Sequence, residues 1–127
     1  MPVNQLSAYT NMQKEALSGR ELEASVLSRA GVKLKQVQDK WDDPDRIAKL
    51  TNAVAFNQKV WSYFQMELSN PDNPLPKQLR EDILNLSIFV LKRLYEALSS
   101  PDPEMLSIVI DIDSNLAAGL RTKAEDN

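Results

Sequence analysis

Between positions 47 and 68, apolar residues fall at Ile47, Leu50, Val54, Trp61, Phe64 and Leu68, in steps of three, four, seven, three and four. Asn57 fills the one gap in that heptad series. Residues at this spacing share one face of an α-helix, and such a face must be buried against neighbours. Ala53, Phe56, Val60 and Tyr63 widen it to one side. The pattern predicts a helix over 44–68. Asp43 is its natural N-cap and Pro44 its first residue, with Asp42, Asp43 and Asp45 at the positive end of the helix dipole.

The rest of the chain reads the same way. Leu6, Tyr9, Met12 and Ala16 share a narrow stripe, which predicts a weakly amphipathic helix over 4–17. Ser18 with Glu21 three residues later forms a capping box and predicts a new helix. Leu22, Val26, Ala30, Leu34, Val37 and Trp41 then recur at helical spacing. Gly31, inside that helix, costs about 1 kcal/mol relative to alanine, yet its bare Cα lets a neighbouring backbone come close. The stretch Asn70-Pro71-Asp72-Asn73-Pro74-Leu75-Pro76 must break the helix, and its prolines make a stiff connector.

A fourth helix is predicted over 77–99. Leu79, Ile83, Leu86, Val90 and Ala97 form one seam, and Leu84, Ile88, Leu91, Tyr95 and Leu98 a second, nearly opposite. A helix apolar on two sides is either central in its bundle or offers one side to a partner. Asp102 caps a fifth helix with Pro103 at its first position. Met105, Val109, Ile112 and Leu116 face inward, Gly119 is a natural stop, and 122–127 form a frayed tail. The expectation is an all-α, single-domain bundle of about five helices over 1–127, with 1–17 weakly held.

Composition narrows the chemistry. A chain of 127 residues can bury roughly two-thirds of its unfolded surface, so it needs no staples. It has no cysteine, which excludes disulfides and thiolate metal sites. It has no histidine, the commonest general base and metal ligand, and its three glycines disfavour phosphate-cradling loops. The net charge of −3 gives no bulk field for nucleic acid or anionic lipid. No apolar run approaches a membrane span, and the first residues lack the features of a signal peptide. These features predict a cytoplasmic protein with no membrane insertion, no DNA partner and no cofactor.

Individual clusters add little chemistry. The acidic group at Asp42–Asp45 lacks the glycine of a calcium loop and has Ala53 where a glutamate would be needed. Asp111 and Asp113 are two apart and point different ways on a helix. No metal site and no catalytic residue is predicted, and the chain reads as a binding protein rather than an enzyme. Arg29, Lys33, Gln36 and Lys40 line one helix face, which RNA can use. A solvated face suits an acidic chain with few aromatics better. Asn57 reads as a buried register device, with Asn85 a candidate partner.

The sharpest lead is surplus apolar surface. Phe56, Val60, Tyr63, Ile88, Leu91 and Tyr95 lie outside the narrowest seams. Either the bundle covers them all, or they line a groove for a partner's amphipathic helix. Periodicity alone leaves both open.

The segment Phe56–Pro76, FNQKVWSYFQMELSNPDNPLP, is followed by Leu79-Arg80 and by LNLSIFVLKRLYEAL at 84–98. With Gly19-Arg20-Glu21-Leu22-Glu23-Ala24 upstream, and Pro101-Asp102-Pro103-Glu104 and Asn115-Leu116-Ala117-Ala118-Gly119-Leu120 downstream, this resembles the FlaF family of flagellar proteins. The resemblance spans about Tyr9 to Leu120. It implies a cytoplasmic factor of flagellum biogenesis, required for flagellin production and export, that binds flagellin as a secretion chaperone. Flagellin's terminal amphipathic segments, disordered before assembly, would be its partner. The groove lining would then be Phe56, Val60, Tyr63, Ile88, Leu91 and Tyr95, with Tyr9 and Met12 of the first helix as a cover. Two alternatives stand beside this reading. One is a regulator of flagellin messenger, acting directly or through a partner translation regulator. The other is a structural adaptor or homodimer using the second stripe of the fourth helix.

Overall fold

A computed structural model describes the backbone over residues 5–126 and the side chains over 19–122. It is all-helical, with no strand among the described residues. Four α-helices follow one another: α1 (Gln5–Asp39), α2 (Arg46–Ser69), α3 (Lys77–Ser99) and α4 (Ser107–Asp126). A single 3₁₀ turn, Pro103–Leu106, leads into α4.

The two predicted N-terminal helices are one. The chain runs through Ser18 without a break, so the expected capping box caps nothing. No proline interrupts this region, and one glycine among good helix formers is too weak a breaker to stop propagation. Gly119 likewise does not end α4, which continues to Asp126 through the tail expected to be frayed. No described glycine has positive φ, so none serves as a left-handed cap.

The proline-bearing junctions behave as read. α3 begins at Lys77, directly after Pro76, and ends at Ser99. Within the connector, the Asn70 side chain accepts from the Asp72 backbone N–H and the Asn73 side chain from that of Leu75. Asn73 Nδ2 donates to the Glu67 carbonyl, and the Arg80 guanidinium to those of Asn70 and Pro71. These bonds hold the connector against the end of α2. Asp102 accepts from the Glu104 N–H, as a cap should, but the turn it caps is 3₁₀ before it becomes α. α2 starts two residues later than expected, and the Asp43 carboxylate accepts from the Asp45 N–H in the turn before it.

α1 packs most extensively along α4 and also against α2; α2 in turn carries α3. The core takes Leu27, Leu34, Leu50, Val54, Trp61, Val90, Leu94, Leu106 and Val109, each essentially inaccessible. Of the opening seam, Leu50, Val54, Asn57, Trp61, Phe64 and Leu68 are buried. Ile47, in the first turn of α2, is half exposed and does not join them. Gly31 sits at the close crossing of α1 and α4: a Cβ there would stand 3.3 Å from the Asp113 Cβ. No described helix is long and apolar enough to cross a membrane.

Candidate functional site

A groove of about 720 Å³ opens where α1, α2 and the connector converge. α1 contributes Leu22 and Val26, and α2 contributes Phe56, Val60, Tyr63 and Phe64. Asn73, Pro74 and Leu75 of the connector form a further wall, with Ile83 of α3 and Leu116 and Leu120 of α4 behind. Its most exposed apolar groups are Leu22, 65% accessible, and Tyr63, 46%. Isolated exposed apolar residues are ordinary on a protein surface, but two facing one concave apolar cavity make it the candidate site.

The groove is charged differently at its two ends. Near Tyr63 stand Glu23 and Glu67. Burial raises the Glu23 carboxyl above its ordinary range, Arg20 opposes this and Glu67 adds to it. The Tyr63 phenol is raised as well, chiefly by burial and then by the two carboxylates. Six residues along α1, Arg29 lies 5.6 Å from the Phe56 ring centre, and Lys33 5.2 Å. Lys59 joins Arg29 on this rim. The site thus has two carboxylates and Arg20 towards one end and Arg29 towards the other, with apolar surface between.

The expected lining divides between two surfaces. Phe56, Val60 and Tyr63 do line the groove. Ile88, Leu91 and Tyr95 do not: Ile88 and Tyr95 are exposed on the outer side of α3, and Leu91 is half-buried against the core. The reason is rotational. Helix α3 buries Ile83, Ser87, Val90, Leu94 and Ala97, which turns Ile88 and Tyr95 of the second seam to solvent and leaves Leu84 and Leu91 packed at its flank. Tyr9 and Met12 fall outside the residues whose side chains are described. The backbone around them belongs to α1.

Sequence reading missed the groove's other walls. Spacing alone places Leu22 and Val26 on a core seam and makes the connector a stiff link with no part in a site. Leu75, the one apolar residue among that connector's prolines, asparagines and aspartate, was the available signal.

The polar residues separate structural from binding roles. Asn57 is fully buried, and its Nδ2 donates to the Ala30 carbonyl on α1 and to Ala53 on its own helix. Asn85 is exposed and is not its partner. A second buried group, Asp113, accepts from the Trp61 indole N–H at 2.8 Å. Its Oδ2 and the Asn57 Oδ1 have no protein partner. Loss of water pushes the Asp113 carboxyl up to about 7, against the opposing pull of the indole bond.

Two residues of the basic stripe, Arg29 and Lys33, are engaged within the chain. Arg29 and Lys33 stack over Phe56, while Lys33, Gln36 and Lys40 border a smaller polar hollow with Arg46 and Lys49. Lys49 pairs with Asp43 at 2.6 Å and Arg46 lies over Trp41. Among the described residues, no group of three or more acidic side chains gathers in the manner of a metal site. A family model described as flagellar protein FlaF matches residues 5–120. No curated protein and no solved structure matches the chain.

Proposed function

The chain belongs to the FlaF family of flagellar proteins, and from that premise we propose that it is a cytoplasmic chaperone that holds flagellin before export. The observation that supports this is the apolar groove with Leu22 and Tyr63 exposed in it. Its occupant would be one terminal segment of flagellin, folded into an amphipathic helix on capture. Helix-in-groove recognition places apolar residues at helical spacing into such a site. Holding that face in the groove keeps it from pairing with other flagellin copies, and occupancy couples the supply of subunit to its export.

The charges at the two ends orient the guest. Glu23 and Glu67 attract basic residues, and Arg29 and Lys59 attract acidic ones. Binding stays reversible because a disordered segment must be ordered on capture, at about 2–5 kcal/mol of the contact energy. None of this requires a reaction centre, and the role proposed is non-enzymatic.

Co-expression with flagellin tests the assignment. The full-length subunit should co-purify with this chain, and removing one flagellin terminus, but not the other, should abolish capture. Retention of a flagellin lacking both termini would refute the reading.

A further inference from the structure

Asp113 stands where three helices that wall the groove meet. It belongs to α4, its Oδ1 accepts from the Trp61 indole of α2, and its Cβ lies against Gly31 of α1. The Oδ2 lies in the crossing of α1 and α4, since a Cβ added at Gly31 would stand 3.9 Å from it. One turn before Trp61, Asn57 bonds the Ala30 carbonyl next to Gly31. Both side chains are fully inaccessible, and the Asp113 Oδ2 and Asn57 Oδ1 are acceptors with no protein donor. Such surroundings suit a carboxyl that keeps its proton and penalise a carboxylate.

No charged side chain among the described residues answers Asp113. On α1, Arg29 and Lys33 lie over Phe56. On α2, Lys59 stands at the groove rim. On α4, Asp111 is exposed and Arg121 reaches Ser28. Glu104 of the 3₁₀ turn is exposed, and Arg93 of α3 lies over Phe89. Burial accordingly raises the carboxyl to about 7, opposed only by the indole bond.

The crossing is joined to the groove. Leu116, one turn along α4 from Asp113, forms its back wall with Leu120. Val60 and Phe64 of the groove stand beside Trp61, whose ring centre is 6.0 Å from that of Phe64. A charge on Oδ2 must be met by water, and the contact at Gly31 admits none until α1 and α4 part. Parting them moves Leu22 and Val26 away from Leu116 and Leu120.

We propose that Asp113 is a proton switch for the groove: protonated, it keeps the crossing closed and the groove in shape, and ionised, it parts α1 from α4 and weakens capture. The identity of the guest rests on the chaperone reading; the link from Asp113 to the groove walls does not. Because the neutral form binds better, capture takes up a proton and weakens as pH rises through neutrality.

NMR of the free full chain across neutral pH tests the link, read at the Trp61 indole N–H and at the methyls of Val60, Leu116 and Leu120. In the wild type the indole and the groove methyls should shift together with one midpoint near 7. In Asp113→Asn, a neutral isostere of the protonated acid, neither should show that transition. An indole that titrates while the methyls stay still, methyls that titrate equally in Asp113→Asn, or a wild type with no transition each overturns the inference. Glu23 is present in both proteins, so its ionisation cannot separate them. Calorimetry with the flagellin terminal segments reads the consequence. From pH 6 to pH 8 the dissociation constant should rise about tenfold in the wild type and stay nearly constant in Asp113→Asn. Equal changes in the two proteins overturn the switch. A wild type that binds neither segment at pH 6 sinks the chaperone reading alone, and the methyl shifts still decide the link.

Discussion

Asp113 is the residue whose chemistry departs furthest from its type. It sits between α4, Gly31 of α1 and Trp61 of α2, with one oxygen bonded to the indole and the other without a partner. Its carboxyl ionises near pH 7 in the folded chain but near ~3.9 when unfolded. Folding therefore takes up a proton between those two values. The stability this group contributes is fully present below about pH 4, falls as pH rises towards 7 and is flat above, about 4 kcal/mol in all. Asp113→Asn keeps an acceptor for the indole and removes the ionisation. Urea unfolding should show the variant gaining on the wild type steadily from pH ~4 to ~7, then holding a constant lead. Parallel curves would mean that Asp113 stays ionised. Read from spacing, Asp113 stands two positions from Asp111 and points another way, which gives it no role. Yet Leu106, Val109, Asp113 and Ala117 follow steps of three, four and four, so an acid on a core seam was visible by the same pattern that exposed Asn57. What spacing could not supply was the partner: Trp61 lies 52 residues away, and Asn57 turned to backbone carbonyls rather than to Asn85.

At the level of elements, proline was decisive and glycine was not. The prolines around Pro71–Pro76 and Pro101–Pro103 mark helix boundaries nearly to the residue, since proline removes a donor and fixes φ. Gly19, Gly31 and Gly119 all lie within helices, and a glycine there costs only about 1 kcal/mol, which cooperative propagation and packing outweigh. Their surroundings differ. Nothing stands within 4 Å of a Cβ added at Gly119, whereas one at Gly31 presses on Asp113. Gly119→Ala should therefore stabilise the chain by about 1 kcal/mol in chemical denaturation. Gly31→Ala should fall short of that gain or lose stability, because α1 and α4 must part by a few tenths of an ångström. Equal gains at both positions would show that the crossing has room to spare. The helix faces were legible to the extent that they are narrow. α2 kept its seam apart from Ile47. α3, apolar on two sides, could not reveal which side faced inward until α2 packed on it.

Across the whole molecule, the account rests on more apolar surface than four helices can hide. Periodicity pointed to that excess but gathered it into one surface. Packing divides it, with Tyr63 and the half-buried Phe56 in the groove beside the buried Val60, and Ile88 and Tyr95 on the outer face of α3. The division predicts that the two surfaces can be disabled separately. Leu22→Glu places a charge in the groove at a site already well exposed, so the fold should survive while capture of an apolar helix fails. Ile88→Glu should leave capture intact. Tyr63→Glu should weaken it through the aromatic contact it removes, while the added carboxylate joins Glu23 and Glu67 at the end that attracts basic residues. Calorimetric titration of the full chain with each flagellin terminal segment puts this to the most direct test. Saturable binding of one segment, with a negative heat-capacity change, abolished by Leu22→Glu and preserved in Ile88→Glu, is the predicted result. Binding that survives Leu22→Glu and is lost in Ile88→Glu would contradict it.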